Sequence, residues 1–427
     1  MIIKTTALLL LSSAAVFSFM TSCEGPQGIA GVDANESCTQ CHKSEVVGIA
    51  AAQFELSKHN YGEAAFEEAG ITICAPCHES EAFKYVCKNN TPATFTLNAA
   101  TSKFANDYTV PNTVAFGEIN CTTCHSSLHS EYDSTDIYPL TNTAPVAMTM
   151  WKGAKTIDLT QDESQSNLCV KCHQPRPLAT STTLSNGDVV DYVSLATNPT
   201  ALFYDPTVGA TTNKYFPGYR SHVHYGTVGA IYAGKGGVEF TGSLSYSNSA
   251  HTTLASCQDC HMAEVTGKAG GHSFNAVGNF KGCNTAECHP SPLDAKSPKF
   301  VDTRAAVKAL LNTLGEKITV NGVDILHKNS DAVTNLWVTS TTKKFDGYLD
   351  VYDPSLNPTG LLKNPNPSSS WSQTQKDANA ALQTITLTNA QMGAIINFQF
   401  CLREYSLGIH NTAYTKALLT NSIEALN

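Results

Sequence analysis

Five times between residues 38 and 261 the chain repeats the pattern Cys-x-x-Cys-His: at Cys38, Cys41 and His42; Cys74, Cys77 and His78; Cys121, Cys124 and His125; Cys169, Cys172 and His173; and Cys257, Cys260 and His261. On a helical turn, residues at i, i+3 and i+4 share a face. Each segment therefore turns two thiols and one imidazole to the same side. Composition alone predicts on the order of 0.02 such matches in a chain of this length. The sequence holds 15 Cys and 14 His in 427 residues, far beyond what a core of this size needs. Any fold has to be organised around this chemistry.

Two thiols so placed reach the two vinyl groups of one haem, and the histidine that follows reaches its iron. The competing use is zinc, which Cys-x-x-Cys pairs also bind. Zinc does not require a histidine directly after every second cysteine, so covalent haem is the expected cofactor at all five segments. A sixth cluster is looser. Cys283 and Cys288 are separated by four residues and followed by His289. The turn must bulge to bring both thiols to one porphyrin, but the terminal Cys-His pair is intact and a sixth haem is expected there.

Twelve cysteines are thereby assigned. Of the remaining three, Cys23 ends the stretch Met20-Thr21-Ser22-Cys23, after a positive start at Lys4 and an apolar run from Ala7 to Phe19. That run suits a signal peptide and is too short to span a bilayer. The expectation is a lipoprotein signal over 1–22 and an acylated Cys23, which anchors the chain in the periplasm or on the outer membrane and cell surface. Cys87 and Cys401 are left over, and an even remainder in an oxidising compartment points to a disulfide. Cys87-Lys88 also resembles the end of a Cys-x-x-Cys-Lys haem site, but Lys84 stands where its first cysteine belongs.

Six-coordinate irons need distal ligands as well. Eight histidines lie outside the motifs, and His59, His129, His224, His251, His272 and His410 are the expected set, with His222 and His327 as spares. His129, four residues after His125, must serve a neighbouring haem. Met148 and Met150 are alternative ligands that would raise a potential.

The net charge is −9 and charged residues make up 15%. With no long basic run, nucleic acid is not an expected partner. Residues 23–36, including the Gly-X-Y-like Gly25 to Gly31, read as a tether. Residues 37–290 form the haem-binding region, with strand-like pieces at 94–97 and 189–193. Residues 291–427 form a helical region in which Arg304–Lys317 is an amphipathic helix and 389–427 is helical with a break near Gly408. The expected fold class is mainly α, with extensive irregular loops, a few short strands and a long C-terminal helix, organised around stacked haems.

Several segments come in a familiar order: His224-Tyr225-Gly226, Gly234-Lys235-Gly236-Gly237, Ser249-Ala250-His251, Cys257 to Met262, Gly271-His272, and Gly408-Ile409-His410-Asn411. In this the chain resembles multihaem cytochromes of the pentahaem nitrite reductase and octahaem cytochrome group, over about 219–262 and 397–419. The resemblance implies that His272 and His410 are distal ligands. The Cys-x-x-Cys-Lys catalytic site of the reductases is missing, so their activity is not implied.

The leading expectation is electron transfer by a hexahaem cytochrome, a carrier rather than a catalyst. Its partners would be other redox proteins or an extracellular electron acceptor, with an oligomer or filament left open. A reductase of small nitrogen or sulfur oxyanions is the alternative, with Arg220 and Arg403 as candidate substrate-facing cations. A haem-bearing surface binding protein is the third class.

Overall fold

The computed structural model describes residues 44–61, 70–89, 95–98, 103–106, 110–128, 139–151, 153–176, 178, 190–205, 218, 221–329, 344–351, 362–364, 367, 369–384 and 386–427. Cys23, Cys38, Cys41, His42, His129 and Arg220 lie outside them, as do the signal-peptide and tether segments. The chain divides into two compact units, Met1–Ile49 and Ala50–Asn427. The second holds the core and the five complete motifs from Cys74 onward.

The architecture of this unit is mixed: helices, mostly short, with strands in two-stranded pairs and no barrel among the described residues. The motif segments form brief helices, and local capping explains where they start. Asn120 accepts from Thr122 N at 2.8 Å, and Thr123 Oγ1 accepts from Asn120 N at 3.0 Å, which starts helix Cys121–Cys124. Ser256 and Asp259 form the same reciprocal box at the head of Cys257–His261. Asp162 accepts from Ser166 N at 2.9 Å at the start of Ser166–Val170. Such caps satisfy amide hydrogens that a helix of one turn cannot satisfy internally.

The scaffold that carries these turns is C-terminal. Thr388 and Gln391 cap a helix spanning Asn389–Leu402, of which every residue except Gln391 is buried. A helix buried on all sides must pair its polar side chains internally, and this one does. Asn397 donates to Val238 O (2.7 Å) and accepts from Val238 N (2.8 Å). Gln399 accepts from Val223 N (3.0 Å) and donates to Ser221 O (3.0 Å) and Gly347 O (2.8 Å). The second helix, Thr412–Ala425, is capped by Asn411. Its Leu418 presses on Gly237, where a Cβ would meet Leu418 Cδ2 at 2.4 Å and push that side chain aside. The third helix, Pro298–Lys317, starts on a proline, earlier than the sequence suggested.

These helices share one large core with residues of the motif-bearing region, among them Met148, Met150, Ile157, Val223, Ile231 and Phe240. Apolar contact thus crosses the expected division at residue 290. Each fully buried Leu, Ile, Phe or Met adds roughly 1.5–3 kcal/mol, and this core is where most of that burial lies. Met148 and Met150 are both fully buried in it.

Two sequence expectations need correction. Of the strand expected at 189–193, the described residues 190–193 instead lead into helix Tyr192–Thr197, because Asp191 accepts from Val193 N and Ser194 N and caps it. The other expected strand is present at Phe95–Asn98, paired antiparallel with Lys103–Asn106. The Cys87–Cys401 disulfide is not formed. Both are free, buried thiols in different apolar clusters, Cys87 with Phe83 and Leu168, Cys401 in the large core. Burial pushes Cys87 up to about 12 and Cys401 well above its ordinary value, so both stay protonated.

Candidate functional site

Every motif histidine among the described residues faces one histidine from outside the motifs. His78, at the end of helix Ala75–His78, lies 6.2 Å from His224, ring centre to ring centre. His125 lies 6.4 Å from His272. His173 lies 5.9 Å from His59, on the short helix Lys58–Tyr61. His261 lies 6.2 Å from His410, and His289 lies 6.1 Å from His251. The angles between ring planes run from 10° to 82°, yet the separation stays between 5.9 and 6.4 Å. Ordinary ring packing varies more, from about 4.5 to 7 Å. A metal lies about 2 Å from a bound imidazole nitrogen, which is itself ~1 Å from its ring centre. Two imidazoles on opposite sides of one ion therefore have ring centres about 6 Å apart at any plane angle.

The hydrogen bonds of the outer nitrogens orient these rings. His261 Nδ1 lies 2.8 Å from Phe274 O and His251 Nδ1 lies 2.7 Å from Ile409 O. A carbonyl only accepts, so Nδ1 carries the hydrogen in both rings and Nε2 keeps the lone pair. His410 Nδ1 meets the Glu404 carboxylate at 2.8 Å. Surroundings also favour the neutral, ligand-competent form. Burial first, then Arg176 and His78, brings His224 down to about 3. Burial, then His261, lowers His59, and burial lowers His261 and His272. His173 is lowered too, by desolvation first and then by His59, His261, His410 and His78.

The thiols of different motifs approach one another. Cys77 Sγ donates to Lys171 O at 3.8 Å, and the thiols of Cys77 and Cys172, like those of Cys169 and Cys257, are near enough to shift one another's titration. Phe274 stacks edge-on to His59 at 5.1 Å and His272 at 5.8 Å. The Cys169–His173 segment thus adjoins the segments of Cys74–His78 and Cys257–His261, and through Phe274 the His125–His272 pair. Among the described residues no three His, Cys, Asp or Glu converge on a point that would hold a metal ion by protein ligands alone.

Of the six non-motif histidines singled out in the sequence, His59, His224, His251, His272 and His410 lie opposite a motif histidine, and His129 is outside the described residues. Neither spare shares this arrangement in the ring contacts described. His222 packs on Tyr225 and Tyr348, at 5.8 and 5.1 Å, and His327 lies on the strand Leu326–Asn329. Arg403, read as a substrate-facing cation, is buried. Its guanidinium lies 4.5 Å over Tyr225 and donates to Val223 O, clamping the segment that carries His224. Lys84 is tied to Glu81 at 2.6 Å. Sequence reasoning missed Glu404, Gln399, Phe274 and Gln53, whose Oε1 accepts from His272 N at 2.9 Å. None sits at a fixed spacing from a motif, so no local signal marked them.

Compared with models of known protein families, with curated proteins and with solved structures, the chain finds no match.

Proposed function

We propose that the chain is a multihaem c-type cytochrome that carries electrons, with six haems attached through Cys38/Cys41, Cys74/Cys77, Cys121/Cys124, Cys169/Cys172, Cys257/Cys260 and Cys283/Cys288. The observation that carries this reading is the constant spacing of the five histidine pairs, each joining a motif histidine to one from elsewhere in the chain. Protein-only zinc sites would need three or four converging side chains. A haem iron takes four ligands from its porphyrin and two from the protein, which is what each pair offers. The group supplies one-electron chemistry between ferric and ferrous iron.

The chain's own residues do the rest. Each histidine pair would hold one haem iron from the protein side and leave it no open position, which favours a carrier over a catalyst. Phe274 O, Ile409 O and Glu404 hold the rings in the tautomer that ligates. Contacts between motifs support transfer from centre to centre. His42 and His129, outside the described residues, are the remaining candidates for a sixth pair. Export, acylation of Cys23 and transfer to another redox protein or an extracellular acceptor belong to the same proposal, on the sequence alone.

The test is intact mass together with optical and spin-resonance spectra of protein matured in a haem-attaching host. The reading expects six haem masses, wholly low-spin iron, and no carbon monoxide binding in the reduced state. Zinc in place of haem, or one high-spin iron at full occupancy, overturns the carrier reading, and the second result favours an oxyanion reductase.

A further inference from the structure

Among the paired rings, His251, His261 and His410 each have a described hydrogen-bond partner behind them. Behind His251 and His261 it is a neutral backbone carbonyl. Behind His410 it is the carboxylate of Glu404, whose side chain is fully buried. Burying a carboxylate is costly unless it is paired and hydrogen-bonded, and this one is supplied with donors. Oε1 accepts from Gly408 N at 2.8 Å, and Oε2 accepts from Ser406 Oγ at 2.6 Å and from His410 Nδ1 at 2.8 Å. The loop is wound to deliver them. Tyr405, Leu407 and Gly408 all have positive φ, at 61°, 57° and 87°, and two of these residues carry side chains that resist that conformation. A sharp backbone fold encloses one acidic group.

A carboxylate behind a ligating imidazole draws on the Nδ1 hydrogen and makes Nε2 a stronger donor to a metal. It also places a fixed negative charge close to a centre that gains one unit of positive charge when it loses an electron. Both effects stabilise the oxidised form.

We propose that Glu404 is a positioning residue that sets the reduction potential of the His261–His410 centre below what a neutral partner would give, making it a low-potential step within the conduit. This rests on the proposed haem-carrier function.

The test compares Glu404→Gln and Ser406→Ala with wild type in the full-length, haem-loaded protein, by spectroelectrochemical titration and low-temperature spin resonance. Glutamine keeps the shape and an acceptor but removes the charge, so one midpoint potential should shift upward while the others stay, and one low-spin signal should change its g-values. Ser406→Ala removes a donor from the carboxylate and leaves more charge on His410, so the same centre should shift downward. Opposite signs at one centre are the signature of electrostatic tuning. Shifts of the same sign in both variants, or a new high-spin signal in both, would mean that Glu404 only holds the loop, and would overturn the inference. If Glu404→Gln fails to fold, Ser406→Ala decides alone: a downward shift supports the inference and an unchanged titration overturns it. Haem content of wild type separates the two failures. No haem sinks the functional reading and this inference with it. Six low-spin haems with no potential moved in either variant sink the inference alone.

Discussion

His251 donates its Nδ1 hydrogen to the carbonyl oxygen of Ile409 across 2.7 Å, and the residue after Ile409 is His410, which faces His261. One peptide unit of the C-terminal region therefore serves two histidine pairs, orienting the outer ring of one and supplying the outer ring of the other. Asn411, next along, accepts from Ser249 N at 3.0 Å and donates to Ile231 O at 3.1 Å. Tyr232 donates to His251 O at 2.8 Å. The segment 409–411 and the segment 249–251 are thus held as a unit, and disturbing one should be felt at two sites.

In the proposed haem-loaded protein, replacing His410 with alanine should leave the haem count unchanged, because Cys257, Cys260 and His261 are untouched. One low-spin iron should become high-spin and bind carbon monoxide when reduced. A spectrum with no high-spin component would mean that His410 is not a ligand.

The long-spaced motif is tested separately. Replacing both Cys283 and Cys288 with alanine should lower the intact mass by one haem beyond the substitutions themselves. An unchanged haem count would show that the Cys283–His289 segment holds none.

Gln399→Leu should destabilise the protein by about 3 kcal/mol, since it leaves the buried partners Val223 N, Ser221 O and Gly347 O without the amide that satisfies them. The midpoint of denaturant unfolding reads this directly. A loss under about 0.5 kcal/mol would match an ordinary surface substitution instead.

Stability should fall with acid. His224 sits at about 3 when folded, against an ordinary value of 6.5, so the unfolded chain binds more protons between those values. Its contribution is complete above about pH 6.5 and declines as pH drops towards 3. A haem iron held by Nε2 would add to the same trend, because protonation competes with ligation. Unfolding midpoints at pH 7 and pH 4.5 should differ in that sense, and His224→Phe should flatten the difference if it folds. Equal or higher stability at pH 4.5 would contradict this origin.

Cys87 and Cys401 should both react with an alkylating reagent once the protein is unfolded without reductant, and neither should react in the folded state, where burial keeps them protonated. Protection that persists in the unfolded, unreduced chain would restore the bridge.

What the sequence determined by itself is contiguous chemistry. Two thiols and an imidazole within one helical turn need no tertiary context to be placed together, so Cys74–His78 or Cys257–His261 could be read as units. The same holds for Arg304–Lys317, whose apolar period lies within one helix. Sequence also isolated a short roster of histidines, because so few were left over. It carried no information on which ring faces which: His78 meets His224 only when the buried helix Asn389–Leu402 has fixed the 221–238 segment through Gln399 and Asn397. Cys87 and Cys401 show the opposite failure, since parity of count says nothing about distance, and each thiol ended in its own apolar cluster. Val190 to Val193 looked extended by composition, but the Asp191 cap outweighed β-propensity. Glu404 was invisible for the same reason as the pairing. Its role comes from a loop folded back on itself through left-handed residues, and no motif in the chain announces that the loop turns a carboxylate six residues away onto His410.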